Sequence, residues 1–177
     1  MFYTDPTAIW SIYREKRQVA HDTLDEEPLP AVAQIVRWAR ALGPAMLTVS
    51  LDPDVRLEAA GHPGGESLIK VRGDLFRQKC TGFDCTNVET LSAAAWSDTV
   101  EVPLCTVCGT VMRPDVVWDG EPLRLADVDH IDAFVAQATA VSVVGDVNEW
   151  PIAGYVRRLQ SKGCPLTIYN LDGATIG

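Results

Sequence analysis

The sequence predicts an α/β fold in which helices cover the faces of a parallel sheet and a small zinc-binding module is inserted. Three observations lead there. The C-terminal half alternates strand and helix patterns, the arrangement of parallel strands joined by helical crossovers. The N-terminal half carries two amphipathic helical patterns ahead of its first strand. Four of the five cysteines fall into two close pairs within residues 77–110, a stretch with little regular periodicity.

Taken in order, "PTAIWSIYREKRQVA" follows Asp5, a helix-opening residue, with Pro6 behind it; apolar residues recur at Ile9, Ile12, Tyr13 and Val19. "PLPAVAQIVRWARALG" is a second amphipathic helix, with Pro30 near its start and Gly43 at its end. "AMLTVSL" and "SLIKVRG" read as short strands, and the residues from Val71 to Phe76 as a strand end, a tight turn and an exit loop. "GHPGGES" is the loop most open to movement. "VMRPDVVW" is a strand that Pro114 is expected to interrupt. "DHIDAFVAQA" is a helix, "TAVSVVGD" a β-branched strand, "PIAGYVRRLQSKG" a helix stopped by Gly163, and "PLTIYNLD" the last strand.

At 177 residues the chain is expected to form a single domain, 1–177, with 77–110 as an insert, and it is long enough for a sizeable core. A hydrophobic fraction of 47% and a charged fraction of 22% are ordinary for a globular protein. The net charge of −9 argues against nucleic acid or an anionic membrane as the main partner. No apolar run approaches the roughly 20 residues that span a bilayer. The N-terminus, "MFYTDPTAIW", lacks the basic and apolar regions of a secretion signal, so a cytoplasmic or nuclear protein is expected.

In a reducing compartment, paired cysteine spacings point to metal rather than disulfides. Cys80 and Cys85 in "CTGFDC" and Cys105 and Cys108 in "CTVCG" would close a tetrahedral thiolate shell around Zn2+ and leave no position for chemistry. The alternative is four unrelated cysteines. Cys164 reads as a small buried hydrophobe at a strand entrance.

"RGDLFRQKC", "CTVCGTVMRPDVVWDGEPL", "AVSVVGD" and "LTIYNLD" together resemble, in order, successive motifs of the sirtuins, the NAD-dependent protein lysine deacylases. "DPTAIWSIYREKRQVA" and "LTVSLD" are similar to two further family segments, so the resemblance runs nearly the whole chain from Asp5. It implies a Rossmann-like sheet, structural zinc on the four cysteines, and a substrate side that includes Val117, Trp118 and Gly120. It also implies cofactor-side contacts from Gly145, Asn170 and Leu171.

The departures from the family pattern concern the chemistry. The family's GAGxS strand-turn and PDFR loop have no counterpart in these residues, so the sheet is expected to lack its usual first glycine-rich strand. NAD is accordingly expected to bind weakly or not at all. Val49 and Ser50 stand for the family's Gln-Asn pair, Asp146 for the threonine of its GTS, and Asp119 for a channel phenylalanine, while Asp52 matches. The general-base histidine of the HG motif is Arg72 here. Arginine stays protonated in proteins and cannot take up the proton. His62, in the glycine-rich loop, is the substitute base to consider, although a mobile loop holds a base poorly. Tyr13 and Lys16 fall near a Tyr-x-x-Arg pair that reads acidic acyl groups in one sirtuin class; on a surface helix their ordinary role is to be solvated.

The expected function is therefore binding of a ligand or partner without deacylation. A second possibility is an enzyme that reuses the scaffold for small-molecule chemistry, with candidate cleft residues Ser50, Asp52, Arg72 and Asp119. A third is a deacylase completed by another subunit. A small anionic ligand or a peptide suits the charge of Arg72. Sheet edges left open by the missing strand are expected to be covered by a second copy, by a partner chain or by rearrangement.

Overall fold

A computed structural model describes residues 2–24, 26–91 and 102–170 of the chain. Helix α1 (Pro6–Asp22) opens as expected: the Asp5 carboxylate accepts the Ala8 N–H at 3.0 Å, and Pro6 occupies the first turn, where no N–H is needed. Its inward face is not the expected one. Trp10, Arg17 and Ala20 are buried, whereas Ile12 and Val19 are exposed. The displacement comes from Arg17, which is fully buried and which an apolar pattern does not count. Its Nε donates to the Leu75 carbonyl and its Nη2 to the Arg77 carbonyl at 3.3 Å. Those bonds make burial of the charge tolerable. Burial lowers its pKa to about 10, so it remains a cation at neutral pH.

Helix α2 (Pro30–Leu42) ends at Gly43, whose φ of 53° is left-handed, as the sequence suggested. Strand β1 (Thr48–Ser50) runs parallel to β2 (Leu68–Lys70), with Ser50 opposite Lys70. A single helical turn between them, α3 (Arg56–Ala59), is not visible in the sequence pattern.

The expected exit loop after β2 is a strand. The turn is confined to Val71 and Arg72, and β3 (Gly73–Cys80) follows as an eight-residue strand. Gly73 explains the tightness: its φ is 85°, and a Cβ there would lie 2.0 Å from the Asp115 carbonyl oxygen. Strand β3 is the centre of an antiparallel sheet between β4 (Val88–Thr90) and β5 (Met112–Val116). Pro114 does not break β5, which is buried throughout and pairs with β3; two residues earlier the Met112 N–H donates to the Pro103 carbonyl at 2.8 Å rather than to β3, so the N–H that Pro114 lacks on the same side of the strand is not one the β3 pairing uses.

The chain packs as two compact units, Met1–Arg124 and Leu125–Gly177. The second unit follows the predicted alternation: α4 (Leu125–Gln137), β6 (Val141–Val144), α5 (Ile152–Ser161) and β7 (Leu166–Tyr169). β6 and β7 pair in parallel, and Val143, Val147 and Val156 form the core beneath them. Gly163, at φ 76°, follows the end of α5 as expected. Cys164 is half-buried and its thiol donates to the Ala138 carbonyl at 3.2 Å. Among the described residues the two parallel pairs remain separate two-stranded sheets, and no helix is long and apolar enough to cross a membrane.

Candidate functional site

β3 carries Cys80 to the turn that presents Cys85, and the approach to β5 brings back Cys105 and Cys108. The four sulfur atoms lie within 4.8 Å of one another. Cys80 and Cys108 are 3.3 Å apart, Cys85 and Cys105 3.7 Å. A tetrahedral shell with Zn–S distances of about 2.3 Å places its sulfurs about 3.8 Å apart, so the donor set fits zinc with little adjustment. Backbone and amide N–H groups point at the sulfurs, as thiolate ligands require: Gly82 N–H on Cys80 at 3.2 Å and the Asn87 side chain on Cys105 at 3.3 Å. Crowding divides the acidities. For Cys80 the Gly82 N–H works downward, but burial and the neighbouring thiols push it up to about 12. For Cys105 burial works upward and is outweighed by the N–H groups of Cys108 and Val107 and by Asn87, which bring it to about 6. Bound zinc would be structural, since four protein ligands leave no open position.

The Arg72 turn is held by backbone. The Val71 N–H donates to the Ser50 carbonyl at 3.1 Å, and the Val117 N–H to the Arg72 carbonyl at 2.9 Å. Ser50, the 71–72 turn and Val117 thus form one hydrogen-bonded row at the ends of β1, β2 and β5. Ser50 Oγ bonds both the N–H and the carbonyl of Asp52, at 3.1 and 3.2 Å, folding that residue back over the strand end. Asp119 and Gly120 lie in the exposed turn that Gly120 permits with a φ of 84°.

His62 does not serve as a loop-borne base. It is buried, Nδ1 accepts the Gly64 N–H at 3.0 Å, and Nε2 lies 2.9 Å from Thr48 Oγ1. Both ring nitrogens are occupied, and burial lowers its pKa.

Trp118 faces α1: its indole N–H donates to the Tyr13 hydroxyl at 2.7 Å. Burial raises the Tyr13 pKa. Tyr13 is therefore a half-buried packing residue rather than a solvated one, while Lys16 is exposed with its ammonium 5.5 Å from the Tyr13 ring centre. In the second unit, the Gly145 N–H donates to the Tyr169 carbonyl at 3.0 Å, next to Asn170, and the Asp146 carboxylate accepts the Asn148 N–H at 2.8 Å. Leu171 lies outside the described residues.

Two ionic groupings near these residues escaped the sequence reading. Lys70, largely buried, is held by Glu58 at 2.7 Å and Asp74 at 2.6 Å. The Arg113 guanidinium carbon lies over the Trp118 ring, 3.5 Å from its centre, and its Nη1 and Nη2 hold the two oxygens of Glu121, the second at 2.9 Å. The spacing of Arg113 and Glu121 across a turn hints at such a pair; nothing in sequence links Lys70 to Glu58.

The family model of the Sir2 family matches residues 18–148. An NAD-dependent protein deacylase of Pyrococcus abyssi is 33% identical over 148 residues, covering 81% of this chain and 55% of that protein. The mitochondrial NAD-dependent protein deacylase sirtuin-5 of Canis lupus familiaris is 25% identical over 97% of this chain and 60% of its own length. Among solved structures, a Sir2 homolog–NAD complex superposes with a TM-score of 0.78 at 25% identity, covering 94% of this chain and 61% of that one. The chain thus spans little more than half the length of these relatives.

Proposed function

The chain belongs to the Sir2 family of NAD-dependent deacylases, and from that premise we propose that it does not deacylate but uses the Arg72 turn to bind an anionic ligand or partner segment. The observation that carries this reading is the backbone fixation of Arg72. Bonds to Val117 and the close approach of Gly73 to Asp115 leave no slack by which another side chain could take its position. A general base must give up its proton near neutral pH, which a guanidinium does not do. The chain has three histidines: His62 is locked, His21 lies in the last turn of α1, and His130 lies within α4 of the other unit. A cation at this position suits a carboxylate or phosphate.

The test is a thermal-shift screen of carboxylate and phosphate metabolites against wild type and Arg72→Ala, because a ligand that binds only the folded state raises its apparent stability. Hits lost in Arg72→Ala support the reading; hits shared by both proteins oppose it. NAD is expected to give no shift at millimolar concentration. A low-micromolar dissociation constant for NAD, or NAD-dependent deacylation by the unaltered chain, would overturn the proposal.

We also propose that a second copy of the chain or a partner strand covers the open edges of β1 and β6, each of which pairs on one side only among the described residues. Light scattering that gives a monomer mass across the micromolar range would argue against self-association.

A further inference from the structure

Helix α2 turns an apolar face to solvent. Gln34, Arg37 and Arg40 are the hydrophilic residues among its 13, whereas a surface helix ordinarily sets charged side chains opposite its buried stripe. Val36 and Ala39 are buried, but Ala31, Ala33, Ala41 and Leu42 are exposed, Leu42 with 54% of its surface and Leu29, just before the helix, with 59%.

Two shallow grooves run alongside α2 and share a wall of Pro28 and Ala60. One holds Ala33, Arg37 and Arg40; the other reaches Leu29, Glu26 and Glu27. This face is therefore acidic where the chain enters α2, apolar in the middle and basic in the later turns. The side chains of Glu26, Glu27 and Arg37 make no ion pair or hydrogen bond among the described residues. Arg40 donates through Nε to the Gly61 carbonyl at 2.8 Å, which steadies the guanidinium without neutralising it. Arg56, which borders the acidic end, is taken up by Asp54 at 3.3 Å.

We propose that this face binds a second copy of the same chain, with the two α2 helices antiparallel about a two-fold axis near Ala33. A two-fold contact presents one patch twice, head against tail. The reversal sets Glu26 and Glu27 of one copy beside Arg37 and Arg40 of the other, at both ends at once. A foreign partner would have to supply the complementary pattern; this chain already carries it. Ala33 lies between the charged ends, and its single methyl lets the helix axes approach to about 8–10 Å. Pro28, Leu29 and Ala33 leave water in the contact, and the charges fix its direction more than its strength. One helix face makes a small interface, so the dimer is expected to dissociate in the micromolar range.

The test is sedimentation equilibrium of the zinc-loaded chain from about 1 to about 100 μM, wild type against Glu27→Arg and Arg37→Glu. Both positions are exposed, so circular dichroism and thermal midpoints should match wild type. Wild type should pass from monomer to dimer across this range. Each variant alone should associate at least about tenfold more weakly, because like charges then meet at both ends. The two variants mixed in equal amounts should recover wild-type affinity to within about threefold, since one end keeps its native pair and the other carries that pair reversed. Added salt should narrow the gap between wild type and the single variants. A second readout needs no variant: Pro28 and Leu29 of the unaltered protein should gain protection from hydroxyl-radical labelling as concentration rises. Wild type that stays monomeric throughout would overturn the proposal, as would labelling independent of concentration. So would association that both variants leave unchanged, which would place it at the strand edges instead, or a mixture no tighter than either variant alone.

Discussion

The imidazole of His62 joins two segments that sequence distance separates: Nε2 lies 2.9 Å from Thr48 Oγ1 on β1, while Nδ1 accepts the Gly64 N–H at 3.0 Å. Because the backbone N–H can only donate, Nδ1 must be the acceptor, and the ring is the neutral tautomer protonated at Nε2. The histidine considered from the sequence as a poorly held substitute base instead closes the 62–67 loop.

A pH dependence follows. Burial, partly opposed by Glu58, lowers the folded-state pKa of His62 below its ordinary 6.5. As pH falls through that value, the unfolded chain takes up a proton that the folded chain refuses, so folding is weakened by acid. The contribution is fully present above about pH 6.5, the unfolded value, and is lost as pH falls toward the lower folded value. Urea midpoints between pH 7 and pH 5 should fall for wild type and fall less for His62→Gln. Parallel slopes in the two proteins would show that this histidine is not linked to folding.

Metal content is the second expectation. Purified protein should carry one zinc per chain on Cys80, Cys85, Cys105 and Cys108. Chelation should first abolish hydrogen-exchange protection around the Cys80–Asn87 and Cys105–Thr110 backbone bonds, because there metal affinity is folding free energy. Elemental analysis well below one zinc per chain, or a disulfide between Cys105 and Cys108, contradicts this assignment.

Arg17 should matter more than any lysine or arginine on the surface. Arg17→Met keeps much of the volume and removes the charge, yet it strands the Leu75 and Arg77 carbonyls on β3. A loss of about 2–4 kcal/mol in urea denaturation is expected, from unsatisfied buried acceptors and the cation packed 5.0 Å from the Trp10 ring centre. An effect under about 0.5 kcal/mol, the range of an uninvolved surface site, would mean that the buried guanidinium does not hold β3.

Gly73 gives a backbone prediction. Gly73→Ala places a methyl 2.0 Å from the Asp115 carbonyl oxygen at a φ of 85°. Stability should fall by at least about 2 kcal/mol, since strain in φ adds to a clash with backbone that cannot swing aside. A thermal midpoint within a degree of wild type would show that the β2–β3 turn is looser than described.

By itself the sequence determined the elements that rest on local rules. Asp5 and Pro6 start α1, Gly43 and Gly163 mark helix ends, and the valines of β6 select extended backbone, because capping, φ and side-chain branching act within a few residues. The cysteine spacing was legible for the same reason: knuckles are short. The family motif around Arg113 and Trp118 was legible as a pattern, and with it the replacement at Arg72. Tertiary structure alone decided what contacts across the chain decide. It buried Arg17 at a position that a hydrophobic stripe cannot register, and made a strand of residues 73–80 because partners on both sides outweigh their charged side chains. It also closed His62 onto Thr48 and gathered Arg77, Lys79 and Arg124 around Asp115. Charge and hydrogen-bond partners are chosen by proximity in space, and a one-dimensional pattern records that only when the partners are near neighbours in sequence.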